Sequence, residues 1–391
     1  MNFSGNIWKL YAIRFFHSLI PAYVIERLFW EQRGMTIQMV VYTEIIYAVT
    51  VVLLELPSGI LADKWSRKHM MTISAWFMCC FFLILTFASG FWHFAAAVFL
   101  AGIGRSASSG AENALLYDSL LLDGKEHSFE KVLGRINVCD FTSAILAALC
   151  GSLLASRFGF ELNYWISLAA TLVSLCLSFM LVEPSVTSGA GEPAQIRHSV
   201  ITSVRFFRNN AGVCLVVLSG MVTGAALNFI YEFWQLYLNR LDIPVIYFGL
   251  FSAAFMSLGI PGNMLAPMLI GRFSSRTLLS GVTAVFTAGF LYIWAVHDYT
   301  GLAAIFAIGL VSGIVEPVTT GYLHHRIDSS MRATMDSFQS LGLNAAHTVI
   351  GLGFGFFSTR YDIFGGYGFI ALVCGLFFIY FLIASKSSVN K

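Results

Sequence analysis

The chain has 391 residues, 57% of them hydrophobic and only 11% charged, with a formal net charge of +2. Ordinary soluble domains are roughly 25% charged, so this composition excludes a water-soluble globular protein and gives no sign of a nucleic-acid partner. It suits a chain made almost wholly of membrane-crossing helices, each needing about 20 apolar residues to satisfy its backbone inside hydrocarbon.

In chain order, apolar stretches predict spans over 8–30, 37–62, 69–90, 94–122, 132–156 and 164–182. A second set follows over 211–238, 245–270, 278–296, 301–323, 333–357 and 367–385. Arg14 and His17 lie early in the first stretch, and no small-residue cleavage site follows, so it reads as a span rather than a cleavable signal. The long polar interval from Glu183 to Asn210 contains Ser-Gly-Ala-Gly-Glu-Pro and then Arg197, Arg205 and Arg208. It reads as a cytoplasmic linker (183–210) with a basic amphipathic piece, between an N-terminal six-helix bundle (1–182) and a C-terminal one (211–391). The expected fold is thus an all-α membrane protein of twelve transmembrane helices in two pseudo-symmetric six-helix bundles.

Orientation follows from the basic residues. Lys9, Lys64, Arg67, Lys68, Lys125, Lys131, Arg135, Arg272, Arg276, Arg326 and Lys386 fall on one side, against Arg27, Arg33, Arg157, Arg240 and Arg360 on the other. The positive-inside rule then places both termini in the cytoplasm. The halves echo each other: Lys64-Trp-Ser-Arg-Lys68 against Arg272-Phe-Ser-Ser-Arg276, and Gly151 to Phe158 against Gly353 to Tyr361. Such duplication is how many secondary transporters are built, with the binding site between the repeats. The seven cysteines all lie in apolar runs without metal spacing and read as packing residues.

One loop is unlike the others. Gly59-Ile-Leu-Ala-Asp63-Lys64-Trp-Ser-Arg67-Lys68 places four charges in six residues between two apolar runs. Glycine permits close helix approach, and an acid four residues on can meet the positive N-terminal end of another helix. Topology alone accounts for the three basic residues. The pattern resembles the signature between the second and third helices of major facilitator superfamily transporters. That resemblance implies the twelve-helix fold of that family and a cytoplasmic gate of Gly59, Asp63, Arg67, Lys68 and Asp118. In it Asp63 would grip the start of helix eleven, near Ser330 to Thr334. Ser66 stands where the family usually has glycine, and Gly271 stands in the second half where Asp63 stands in the first.

Charges inside hydrocarbon cost about 2.5–3.5 kcal/mol each on insertion scales, so they usually face a cavity or a partner. The fourth span is richest, with Arg105, Glu112, Asn113 and Asp118. On one continuous helix Arg105 and Glu112, seven apart, share a face two turns from each other. The Arg105-x-x-Ser-Ser-Gly110 segment resembles the family's Arg-x-x-Gln-Gly pattern, whose arginine lies beside the proton and substrate path. A purely structural bridge is the alternative. Further candidates are Glu26, Glu44, Asp140, Glu232 and Glu316. The family lines its cavity chiefly with helices one, four, seven and ten, which ranks Glu26, Arg105, Glu112, Asn228, Glu232 and Glu316 above Glu44 and Asp140. Glu112 and Glu316 are the first choices for a proton carrier, with Arg105 tuning the nearer. His17 and His347, also within spans, read as packed, hydrogen-bonded residues.

The resemblance implies proton-coupled efflux of a hydrophobic or amphipathic small molecule, with no cofactor beyond a proton gradient. The implied surroundings are the lipid bilayer of the inner membrane, a small-molecule substrate and a monomeric state. Aromatic residues at 15% of the chain suit such a cargo. Family antiporters often carry Gly-x-x-x-Gly-Pro in helix five, whereas this chain has Ala144, Ala148 and Gly151 without proline. Nutrient symport or facilitated uptake therefore stays open. An enzyme is not indicated: there is no His-x-x-x-His, Gly-x-Ser-x-Gly or Walker loop.

Overall fold

The computed structural model describes residues 4–109, 111–184, 206–207, 210–327 and 332–387. Among them every regular element is helical. In the first half these are α1 (Ser4–Ser18), α2 (Glu26–Gln32), α3 (Ile37–Lys64), α4 (Arg67–Phe87), α5 (Phe91–Ser108), α6 (Ala111–Leu122), α7 (Phe129–Phe158) and α8 (Glu161–Phe179). The second half has α9 (Ala211–Arg240), α10 (Phe248–Ile270), α11 (Ser275–Ala295), α12 (Gly301–His324) and α13 (Arg332–Ser387). By length and composition nine stretches of the described residues can cross a membrane, and one of them, Phe338–Lys386, is long enough for two crossings. The two remaining spans are the first and the fourth. Both are interrupted. With them the expected twelve are complete.

The first interruption corrects the continuous span expected over 8–30. After Ser18 the chain leaves the helix, makes a 3-10 turn over Pro21–Val24, and resumes as α2. Proline has no N–H for the helical ladder and clashes with the preceding turn. The exposed backbone groups find partners on α8. Asn163 Nδ2 donates to the carbonyls of Pro21 (3.1 Å) and Gly151 (2.9 Å), and the Ala22 N–H donates to Ser167 Oγ (3.1 Å). Gly151 on α7 lies so close that a Cβ there would stand 2.5 Å from the Pro21 oxygen.

The second interruption corrects the span expected over 94–122. α5 ends at Ser108, and Ser109 turns to an extended conformation (φ −58°, ψ 124°) before α6 begins at Ala111. Serine side chains compete with the helical ladder, and here they do: Ser108 Oγ and the Ser109 N–H both bond the Arg105 carbonyl (3.1 and 3.0 Å). α5 itself is wedged between α3 and α4 through glycines. A Cβ at Gly102 would meet Thr50 at 3.0 Å, and one at Gly104 would meet the Ser74 carbonyl at 3.2 Å.

The paired sequence echo has a structural cause. Ser66 caps α4 by accepting from His69 N (3.1 Å), and Ser274 caps α11 by accepting from Thr277 N (3.1 Å). Serine is a strong N-cap, which explains why it stands where the family pattern has glycine. In the second half, α13 bends at Tyr361 and Asp362, the latter at φ 56°. Arg240 Nε donates to Asp362 Oδ2 at 2.6 Å, and Asp362 Oδ1 accepts from the Ile363 N–H at 2.8 Å, which together hold the turn.

The chain forms two compact units. One comprises the described residues of Met1–Gly191 with Ile243–Ala253, the other those of Glu192–Asp242 with Ala254–Lys391. The start of the second half's second span therefore belongs to the first unit. There Gly249 lies directly on the backbone of Ala148 and Leu149, and a Cβ on it would stand 2.5 Å from Ser152 Oγ. The first unit's core joins Leu10 and Ile13 of α1 to Leu115, Leu116 and Leu120 of α6, Ile136 of α7 and Leu181. The second unit packs α13 against α9 and α11. In it α10 and α12 touch backbone to backbone at Gly262 and Gly313.

Candidate functional site

The breaks in the first and fourth spans both bear on one ionic cluster. α1 carries Arg14 one turn before its end, α6 carries Glu112 in its first turn, and α7 carries Asp140. An acid at a helix N-terminus is favoured by the macrodipole, and the break at Ser109 gives Glu112 such a place. Arg14 Nε lies 3.2 Å from Glu112 Oε1 and its Nη1 donates to Oε2 at 3.3 Å. Its Nη2 lies 2.5 Å from Asp140 Oδ2, and Ser18 Oγ donates to Asp140 Oδ1 at 3.2 Å. The three side chains are 25%, 18% and 19% exposed, so each keeps a window to its surroundings. Arg105 and His17 lie within electrostatic reach, Arg105 of Glu112 and of His17, and His17 of Arg14. One guanidinium faces two carboxylates here. Such a set can take up a proton on one carboxylate while the guanidinium stays with the other, leaving no unpaired charge.

The cluster joins Glu112 to Asp140 through Arg14 and leaves Arg105 outside its ion pairs. Arg105 and Glu112 do not share a helical face, because the helix stops between them. The side chain of Arg105 is exposed and makes no ion pair among the described residues. Glu112 is paired instead with Arg14, which sequence reasoning used only to argue about the N-terminus. Asp140, ranked low for lying on the fifth span, is in the cluster. The missed signal was Arg14 itself, an arginine within an apolar run that requires a partner.

Glu26 belongs to a different cluster. On α2 the deeply buried Arg27 reaches Glu44 Oε1 at 2.7 Å and lies 3.9 Å from Glu26 Oε2, with its guanidinium over the Trp30 ring at 4.6 Å. Asn113 is exposed beside Glu112. In the second unit Asn228 Nδ2 lies 3.4 Å from His347, whose ring stacks on Phe229 at 4.7 Å. Glu232, one turn beyond Asn228, is within electrostatic reach of that histidine. His347 is thus packed and hydrogen-bonded, as expected of it. Glu316 is exposed and makes no ion pair among the described residues, so Glu112 and Glu316 differ sharply in setting.

Between α4 and α6, Arg67 forms an ion pair with Asp118 and donates to the Ala114 carbonyl at 3.4 Å. Around Gly59 no described atom comes within 4 Å of where a side chain would start, so the close approach expected there is not seen among the described residues. The Asp63 side chain and the proposed grip on Ser330 to Thr334 lie outside the described residues. So do Arg197, Arg205 and Arg208 of the linker.

A family model described as Major Facilitator Superfamily matches residues 11–347. An uncharacterized transporter of Buchnera aphidicola subsp. Schizaphis graminum (strain Sg) is 29% identical over 140 residues, 36% of this chain and 34% of the relative. Multidrug resistance protein MdtG of Salmonella typhimurium is 23% identical over 255 residues, 64% of this chain and 61% of the relative. The chain thus spans about a third of the first relative and about three fifths of the second. Among solved structures, the crystal structure of nucleoside transporter NupG is similar with a TM-score of 0.80 and 13% identity, covering 99% of this chain and 100% of that one. A likeness at that identity speaks for the fold.

Proposed function

The chain belongs to the major facilitator superfamily, and from that premise we propose that it is a secondary active transporter exporting a hydrophobic or amphipathic small molecule in exchange for protons. Members of the family are multi-pass membrane transporters rather than enzymes and need no cofactor. The observation that carries the proton reading is Arg14 held between Glu112 and Asp140. Protonating one carboxylate releases Arg14 to the other without stranding a buried charge, and that is the minimum equipment for coupling to a gradient. Likeness to the multidrug resistance protein supports export. The proposed setting is the inner membrane, with a monomer, both termini in the cytoplasm and 183–210 as the cytoplasmic linker. Arg67 and Asp118 act as part of the gate on that side.

A drug-susceptibility panel in a host lacking its own efflux pumps tests this. Expression should lower accumulation of at least one lipophilic dye or drug, and Glu112→Gln and Asp140→Asn should each abolish the effect. In reconstituted vesicles, dissipating the pH gradient should stop it. Uptake of a nutrient is the second reading, favoured by one observation: α7 runs from Phe129 to Phe158 without the proline common in family antiporters. Raised uptake of a labelled nutrient, with no compound exported, decides for it.

A further inference from the structure

The last residues before the linker are fixed one by one. Lys9 Nζ donates to the Met180 carbonyl at 2.7 Å. Leu181 is buried in the first unit's core. Asn6 pairs with both backbone groups of Val182, accepting from its N–H at 3.0 Å and donating to its carbonyl at 2.8 Å, while also donating to Ser119 Oγ at 3.0 Å. Glu183 then turns its carboxylate onto the start of α4. It accepts from Ser66 Oγ at 2.6 Å, from the Arg67 N–H at 3.0 Å and from the Lys68 N–H at 2.7 Å.

A helix leaves its first four N–H groups without internal partners. In α4 the donors of Arg67 and Lys68 go to Glu183, and that of His69 goes to Ser66 Oγ, which itself donates to Glu183. A carboxylate on backbone donors at a helix N-terminus gains from both charge-assisted bonding and the macrodipole. The Arg67 backbone is fixed in this way, and its side chain pairs with Asp118.

We propose that Glu183 is a positioning residue of the inner gate: by holding the Arg67 backbone it aims that guanidinium at Asp118, so the first residue of the linker is part of the gate. This rests on reading Arg67 and Asp118 as gate residues. Since the acceptors meet backbone N–H groups, charge reversal at Arg67 cannot compensate for loss of Glu183. The linker's departure point and the signature loop then move as one piece.

Hydrogen–deuterium exchange on the purified full chain tests this without knowledge of the substrate. In Glu183→Ala, exchange should rise roughly tenfold at Arg67 and Lys68, the effect of losing a hydrogen bond to a charged group. It should also rise in Ala111–Leu122, where Asp118 sits. Arg67→Ala should raise exchange in Ala111–Leu122 alone and leave the Lys68 amide protected. Glu183→Gln, which keeps one acceptor oxygen, should fall between wild type and alanine, and it carries the test if the alanine variant does not fold. Unchanged exchange at Arg67 and Lys68 overturns the cap. Raised exchange there with Ala111–Leu122 at the wild-type level overturns the positioning role. In vesicles preloaded with ethidium, loss of dye transport in Arg67→Ala but not in Glu183→Ala also overturns the inference and leaves the gate reading standing. If transport survives in Arg67→Ala and Asp118→Ala, the gate reading fails, and the inference with it.

Discussion

Arg14 is the residue on which the candidate site turns, because two carboxylates from different helices depend on it. Removing one partner from a buried ion pair costs about 3–5 kcal/mol. The partial exposure of these side chains puts Arg14→Ala near the lower end, about 3 kcal/mol, which thermal unfolding of the purified protein measures. Arg14→Lys should regain part of that stability but little transport, since an ammonium cannot hold two carboxylates through separate nitrogens of a planar fork. Glu112→Gln should cost less than Arg14→Ala, because Arg14 retains Asp140. At this scale the sequence was half legible. Glu112 was found from its charge in an apolar run. Its partner was not, because a contact 98 residues apart in the chain leaves no local pattern. Arg105 stands out over Arg14 in the sequence because the apolar run of the fourth span looks continuous, and nothing local marks Ser108 and Ser109 as the end of α5.

Helices were more legible than their interruptions. Length and hydropathy place ten of the twelve spans in the described residues, since hydrocarbon thickness allows little choice. The breaks depend on single residues and on partners far away. Pro21 announces the first, but its carbonyl accepts from Asn163, 142 residues on. Asn163→Ala should therefore destabilise the first unit by about 1–3 kcal/mol, the cost of leaving buried acceptors unpaired. Glycine contacts sort the same way. A Cβ at Gly313 would stand 2.5 Å from the Gly259 carbonyl, whereas none of the described atoms lies within 4 Å of one at Gly281. Gly313→Val should cost at least about 1–3 kcal/mol through overpacking, while Gly281→Ala in α11 should change stability by no more than about 1 kcal/mol. Unfolding temperatures of the two variants, measured side by side in one detergent, check the contrast.

For the whole molecule, the proposed orientation makes a prediction that needs no substrate. His127, with a side chain 94% exposed, lies in a loop assigned to the cytoplasm, and Tyr299, 62% exposed, lies in one assigned to the opposite face. In a cysteine-free background, His127→Cys should react with an impermeant maleimide only in everted vesicles. Tyr299→Cys should react only in intact cells. The reverse result inverts the topology. The duplication was legible as a faint echo, and its physical reason is the serine cap shared by α4 and α11. What composition could not reveal is that Ile243–Ala253, beyond the linker in sequence, packs with the first unit. Gene shuffling makes the consequence plain. A chimera joined to a relative anywhere in 183–210 would set a foreign segment against Ala148 and Ser152, where Gly249 leaves no room for a larger side chain. Hybrids that also carry Ile243–Ala253 from this chain should mature in the membrane where simple half-for-half swaps are degraded. The seam for recombination is therefore two cuts rather than one.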